Sequence, residues 1–206
     1  MSGYLELIVG PMFSGKTTKI LEIYEQYKDT NSVVVLNYVG DTRYNNSVIT
    51  EGSFAFTEGS FAFTEGSFAF TEGSFAFTHD KKMIPCISLH TISEIWKTQP
   101  THAIHSAEII LINEGQFFDD LADCVLDMVE NKKKRVYICG LDGDFQRKKF
   151  GQILDLIPHC DKITKLTANC ECGKLAIFSH RIVSIKNQVL IGSSDSYKPV
   201  CRDCYT

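Results

Sequence analysis

Residues Gly10-Pro11-Met12-Phe13-Ser14-Gly15-Lys16-Thr17 spell G-x-x-x-x-G-K-T, and the flanks make this the strongest constraint in the chain. Upstream, Tyr4 to Val9 is a short apolar run that reads as a buried strand. Downstream, Ile20, Leu21, Ile23, Tyr24 and Tyr27 form one face of a helix that begins at Lys16. Strand, glycine loop and helix are the setting in which this motif works. The glycines turn backbone N–H groups inward to cradle phosphate oxygens at the positive end of the helix. Lys16 is expected to reach the β- and γ-phosphates of a nucleoside triphosphate, and the Thr17 hydroxyl to ligate Mg²⁺. An α/β fold follows.

With 206 residues, one domain of ordinary size and a small appendage are expected. The longest apolar runs fall far below the roughly 20 residues that span a membrane, and the N-terminus lacks a basic and apolar secretory pattern. A cytoplasmic protein is therefore expected. In that setting eight cysteines point to thiols or metal rather than disulfides. The formal charge of −4 comes from a repeat that contributes four glutamates and no base, so the remainder balances. Neither nucleic acid nor a membrane surface is implied as a partner. The basic run Lys132 to Arg135 sits just beyond an expected helix, whose negative end favours cations.

That repeat is four identical heptapeptides, Glu51-Gly52-Ser53-Phe54-Ala55-Phe56-Thr57 and then copies starting at Glu58, Glu65 and Glu72. Gly in every unit and the Phe-Ala-Phe alternation argue against a helix, and each unit reads as a brief strand between Glu-Gly turns. Stacked hairpins would bury the phenylalanines, whereas an open loop would leave them exposed and prone to cross-β pairing. The segment reads as an expanded loop insertion without a direct catalytic role.

A second apolar strand, Ile109 to Ile112, ends in Asn113-Glu114-Gly115-Gln116. In phosphate-loop proteins such a strand usually ends in an aspartate that holds Mg²⁺, with a catalytic carboxylate beside it. Glu114 fits the catalytic position, where it would accept the proton of an attacking hydroxyl. Its bland alternative is a carboxylate favoured by a helix N-terminus. Asn113 brings no charge; its amide oxygen is expected to accept from a metal-bound water, with weaker metal affinity. A third strand, Arg135 to Cys139, leads into the loop Gly140 to Arg147, at the strand end where open α/β sheets bind ligands. Near the C-terminus, Cys201-x-x-Cys204 and Cys170-x-Cys172 form two knuckles that suit a structural Zn²⁺, or else are reduced thiols without metal. Cys86, Cys124, Cys139 and Cys160 read as small core residues.

With these pieces in place the chain resembles the type II thymidine kinases. The resemblance is carried by the phosphate loop at 10–17, Asp41-Thr42-Arg43-Tyr44, Glu114 to Phe118, Leu141 to Phe150, Lys165 to Ala168, and Tyr197 before the second knuckle. It implies transfer of the ATP γ-phosphate to the thymidine 5′-hydroxyl, with Glu114 as base. Nucleotide contacts would come from Gly10 to Thr17, from Asp41, Thr42 and Arg43, and from Asn113, Gly115 and Gln116. Met12, Phe145, Ser179 and Tyr197 would line the thymidine pocket. A lasso-like loop held by zinc would close over the base, with Gln188, Val189, Leu190, Ile191 and Gly192 as one strand of it. The resemblance further implies zinc on Cys170, Cys172, Cys201 and Cys204, and a homo-oligomer, often a tetramer. It departs at Asn113, where the family has aspartate, at the short Cys170–Cys172 spacing, and at the repeat, where the family has a short loop. The expected architecture is a RecA-like phosphate-loop core over 1–166 with a mostly parallel sheet, interrupted by 51–78, plus a zinc-binding lobe and lasso over 167–206. Two rivals stand beside it: a catalytically weakened nucleotide-binding relative, and a RecA-type ATPase.

Overall fold

The structure is a computed structural model that describes residues 2–40, 75–77, 83–98 and 102–205. Asp41-Thr42-Arg43, the heptads before Phe75, and His79-Asp80 lie outside the described residues. In chain order the elements are β1 (Tyr4–Val9), α1 (Lys16–Tyr27), β2 (Val33–Tyr38), β3 (Phe75–Phe77), β4 (Met83–Pro85), β5 (Ile87–Leu89), α2 (Ala103–Ser106), β6 (Ile109–Ile112), α3 (Leu121–Leu126), β7 (Arg135–Gly140), β8 (Lys162–Lys165), β9 (Ala168–Asn169), β10 (Leu175–Ala176), β11 (Phe178–Arg181) and β12 (Tyr197–Val200). Short stretches of tighter helix cover Ile92–Lys97, Gly115–Phe117 and Ile153–His159.

Among the described residues, six strands form one sheet in the order β5-β2-β6-β7-β1-β8, with every pairing parallel. Parallel strands are covered on both faces and so read as nearly unbroken apolar runs, as β2, β6 and β7 do. The pleat divides each run. Leu5, Leu7, Val9, Leu36, Ile110, Ile112, Val136 and Ile138 face one core, which α3 and the tight turns at 92–97 and 153–159 close with Ile92, Ile95, Leu121, Val125 and Leu156. Ile8, Val35, Ile109, Leu111, Tyr137 and Cys139 face the other, where α1 places Ile20 and Ile23. The α/β class and the first, second and third strand assignments hold, the third running one residue further, to Gly140.

Three of the four basic residues at 132–135 are held by partners, Arg135 by the hydroxyls of Tyr27 and Tyr137. Lys132 pairs with Asp127 just past α3, while Lys134 is buried and donates to the carbonyls of His105 (3.0 Å) and Ala107 (2.6 Å) at the end of α2. In the last heptad, Phe75–Phe77 is a strand and pairs antiparallel with Met83–Pro85. Beyond the main sheet, β9 pairs with β10 and β11 with β12, both antiparallel, over a separate small cluster of Ala168, Cys170, Ala176, Val200 and Cys201.

Phe118 is fully buried in the first core and meets the Tyr38 ring edge-on at 5.7 Å, directly after the turn that carries Glu114. Phe118→Ala should lower stability by about 3–5 kcal/mol, because the cavity cannot collapse against strands on one side and α3 on the other. Urea unfolding should show an earlier midpoint with an unchanged slope.

Candidate active site

The chain leaves β1 at Val9 and turns through the glycine motif into α1. Gly15 takes the left-handed conformation, φ 83°, that lets the loop enter the helix. Gly10 has no room for a side chain, since a Cβ there would lie 2.6 Å from the Leu166 carbonyl oxygen and 2.8 Å from Ser14 Oγ. Phe13 adopts φ 63°, which is costly for a residue with a side chain. Ser179 Oγ accepts from the Met12 N–H at 2.9 Å and anchors the loop from β11. Lys16 is buried, and its Nζ donates to the Pro11 carbonyl at 2.7 Å. Ser14 Oγ is buried within the loop and has no hydrogen-bond partner among the described residues. A buried polar atom left in this way is uncommon. A phosphate oxygen would supply the acceptor it lacks, and the donor set of the loop fits a nucleoside triphosphate.

Facing the loop, Glu114 follows β6 in a left-handed conformation, φ 54°, and is buried. One carboxylate oxygen accepts from Gln116 Nε2 at 2.6 Å, while Gln116 Oε1 accepts from the Leu141 N–H at 2.9 Å. Gln116, 2% exposed, therefore ties Glu114 to the end of β7. Asn113 turns toward the sheet. Its Nδ2 donates to Asn37 Oδ1 at 2.8 Å and its Oδ1 accepts from the Cys139 thiol at 2.9 Å, so the amide faces β2 and β7 and is absent from the cleft wall. The final turn of β6 sends residue 113 into the sheet and 114 outward.

Between these walls lies a cleft of about 300 Å³. Met12 to Thr18 form one side, Glu114, Gln116, Phe117, Leu141 and Phe150 another, and Leu190 to Ser193 with Tyr197 the third. Of the expected residues, the structure brings Met12, Phe13, Ser14, Gly15, Lys16, Thr17, Glu114, Gln116, Leu190, Ile191, Gly192 and Tyr197 together here. It does not bring Gly10, Pro11, Gly115, Asn113, Phe145, Ser179, Gln188 or Val189 to the cleft wall. Ser179 stands behind the wall on Met12, and the Phe145 ring lies under the Arg181 guanidinium at 3.8 Å. Gln188 turns outward to Asp144 Oδ2 at 2.8 Å, and Val189 is half exposed. Phe117, Leu141 and Phe150 were missed; Phe117 stacks on Tyr38 at 5.1 Å and meets Phe150 edge-on at 5.4 Å. The Phe-Phe pair after Glu114 was the available signal, one ring facing the cleft and the next the core.

The four knuckle cysteines converge despite the shortened spacing. The sulfurs of Cys170, Cys172, Cys201 and Cys204 all lie within 4.8 Å of one another, Cys172 and Cys201 at 3.5 Å. A tetrahedron with bonds of about 2.3 Å has edges of about 3.8 Å, so the quartet fits Zn²⁺. Backbone N–H groups of Cys172 and Cys201 draw the Cys170 thiol down to about 6, and hydrogen bonding among the thiols, with Cys172 first, pushes Cys204 up to about 12. Tyr205, next in the chain, donates its hydroxyl to the Phe145 carbonyl at 2.7 Å. No helix among the described residues is long and apolar enough to cross a membrane.

Comparison with known proteins bears on the same residues. The family model described as thymidine kinase matches residues 3–72 and 65–205, two stretches that meet inside the heptad repeat. A thymidine kinase of Sheeppox virus is 38% identical over 205 residues, covering 98% of this chain and 97% of its own length. A thymidine kinase of rice is 37% identical over 207 residues, covering 98% of this chain, which spans 66% of the rice protein. Thymidine kinase 1 of Dictyostelium discoideum is 36% identical over 210 residues, covering 100% of this chain and 78% of its own. A family model matched from residue 3 to 205, with relatives 36–38% identical over nearly all of the chain, places this chain in the thymidine kinase family.

Proposed function

We propose that the chain is a thymidine kinase that transfers the γ-phosphate of ATP to the 5′-hydroxyl of thymidine in the cleft between the glycine loop and Glu114. The observation that carries this reading is a buried carboxylate, fixed by Gln116, facing the glycine loop across a cleft whose third wall is formed by Leu190 to Ser193 and Tyr197. The loop amides, Lys16 and the Ser14 hydroxyl hold the triphosphate and absorb charge as it moves. Glu114 takes the 5′-hydroxyl proton, and its left-handed backbone directs the carboxylate across the cleft rather than along the strand. Mg²⁺ would be held by Thr17 and the triphosphate, and supplies neutralising charge between the phosphates. Met12, Tyr197 and the stretch Leu190 to Gly192, which line the cleft together, enclose the base. Asp41, Thr42 and Arg43 are assigned to the phosphate side by resemblance alone. Thymidine with labelled ATP and Mg²⁺, run beside ATP alone and beside single-stranded DNA, tests the assignment: label should move to thymidine and to nothing else.

Within that reading, Glu114→Gln keeps an oxygen for the Gln116 amide but cannot accept a proton. Turnover should fall about 10²–10⁴-fold with ATP affinity retained. More than half of wild-type turnover would remove Glu114 from this role.

Asn113 is neutral and paired with neutral Asn37. Asn113→Asp buries a carboxylate with no cation among its described partners, and should cost on the order of 1–3 kcal/mol at pH 7. The Mg²⁺ concentration for half-maximal rate should stay where it is; a clear fall would show that residue 113 does reach the metal.

The cysteine quartet predicts about one zinc per chain by metal analysis, lost in Cys201→Ala. Because Tyr205 follows Cys204 and holds Phe145, that loss should raise the thymidine KM more than the ATP KM.

A further inference from the structure

Residues 182–196 join β11 to β12 with no strand of their own. Backbone carbonyls in such a stretch must find partners elsewhere when water is excluded. Arg181, the last residue of β11, supplies them. Its Nη1 donates to the carbonyls of Ile185 (3.0 Å) and Asn187, and its Nη2 to the carbonyl of Gln188 (2.9 Å) and the Tyr197 hydroxyl. Its Nε donates to the same hydroxyl at 3.1 Å. Those contacts use all the N–H groups that a guanidinium carries. Tyr197 passes the connection on, its hydroxyl donating to the Leu190 carbonyl at 2.8 Å.

The guanidinium is buried at 7% exposure, sandwiched near the Phe145 ring at 3.8 Å and the Tyr197 ring at 5.1 Å. Among the described residues no carboxylate forms an ion pair with it. Burying a cation without an opposite charge is expensive, and only a full set of hydrogen bonds and aromatic faces makes it tolerable. With every donor engaged, this arginine has none left for a phosphate or a nucleobase. Its chemistry is spent on the shape of the loop.

We propose that Arg181 is the positioning residue that holds residues 185–193 closed over the cleft, and so sets affinity on the nucleoside side without touching the substrate. The proposal rests on the thymidine kinase reading of the cleft. Arg181 does not line the cavity, whereas Leu190, Ile191 and Gly192 do, and they are reached through the Tyr197 hydroxyl. The hydrogen bonds of Arg181 and Tyr197 go to each other and to residues 185–190, while the glycine loop is tied to β11 through Ser179 instead. Loosening the Arg181 network should therefore separate the two substrates.

Arg181→Lys keeps the charge and the apolar stem but offers three donors on one atom in place of a planar fork. Tyr197→Phe keeps the ring that faces the cleft and removes the hydroxyl link. Each should raise the thymidine KM about tenfold, the equivalent of one net charge-assisted hydrogen bond, and Arg181→Lys, which lies outside the cleft wall, should leave kcat and the ATP KM within about twofold. Zinc content should match the wild type. Trypsin should cut after Lys186, which is exposed in the same stretch, faster in both variants than in the wild type. An unchanged thymidine KM in both variants overturns the proposal. So does a parallel decline of kcat, both KM values and zinc, which would make Arg181 a general folding residue. Should the wild type fail to phosphorylate thymidine, the functional reading falls instead. The cleavage rates then decide the positioning role alone, and equal rates in variant and wild type reject it.

Discussion

Everything at the cleft depends on the alignment of parallel strands. Val9 pairs with Gly140 across β1 and β7, and Ile112 with Ile138 across β6 and β7. Because these strands run in one direction, the phosphate loop, Glu114 and Leu141 all emerge at the same edge of the sheet. That alignment is held by apolar side chains on both faces, and a slip of one residue would exchange the faces of every strand. Leu7 would then meet α1, and Glu6, buried beside Thr164 and Lys162, would enter the opposite core. The cost of such an exchange keeps a phosphate-binding turn and a carboxylate from separate parts of the chain at working distance.

Around that edge, precision comes from neutral or hydrogen-bonded polar groups sunk beneath the surface rather than from exposed ion pairs. Gln116 spans from a carboxylate to a strand-end amide. Ser179 holds the phosphate loop by one N–H. Asp144 accepts from the N–H groups of Gln146 and Lys148, each at 2.8 Å, and receives Gln188 on its other oxygen. Such groups fix direction as well as distance, and each would be costly if its partner were removed. The surface pairs, among them Lys19 with Glu22 and Lys174 with Asp203, are screened by water and contribute little.

Three strands of the main sheet (β1, β6 and β7), α1, the glycine loop and the place of Glu114 after β6 were legible in the sequence because each is a local pattern: an apolar run, a helical face, a motif with its flanks. The cysteine quartet was legible as two knuckles, and the missing spacer did no harm because the β9–β10 turn and the end of β12 bring the sulfurs together regardless of it. What escaped was contact between distant residues. Nothing in the order Phe178-Ser179-His180-Arg181 tells that the arginine will fold a later loop around itself. Likewise the partner of Asn113, seventy-six residues earlier, is set by β2 lying beside β6. The amide at this departure from the family pattern is engaged with its neighbours in the sheet. Phe145 was placed by its neighbours in sequence, but Arg181 and Tyr205 determine where its ring and carbonyl go.

Phe13 and Glu114, on opposite banks of the cleft, both hold backbone angles that glycine would adopt freely. Each stores energy, on the order of 1–2 kcal/mol, that the surrounding core must counterbalance. A screen for heat resistance would meet these two positions early, since glycine at either relaxes the chain. At 114 the gain would delete the buried carboxylate itself; at 13 it would slacken the glycine turn across the cleft from it. Durability and the shape of the cleft thus compete for the same two residues, and a sturdier version of this protein has to find its margin elsewhere in the molecule.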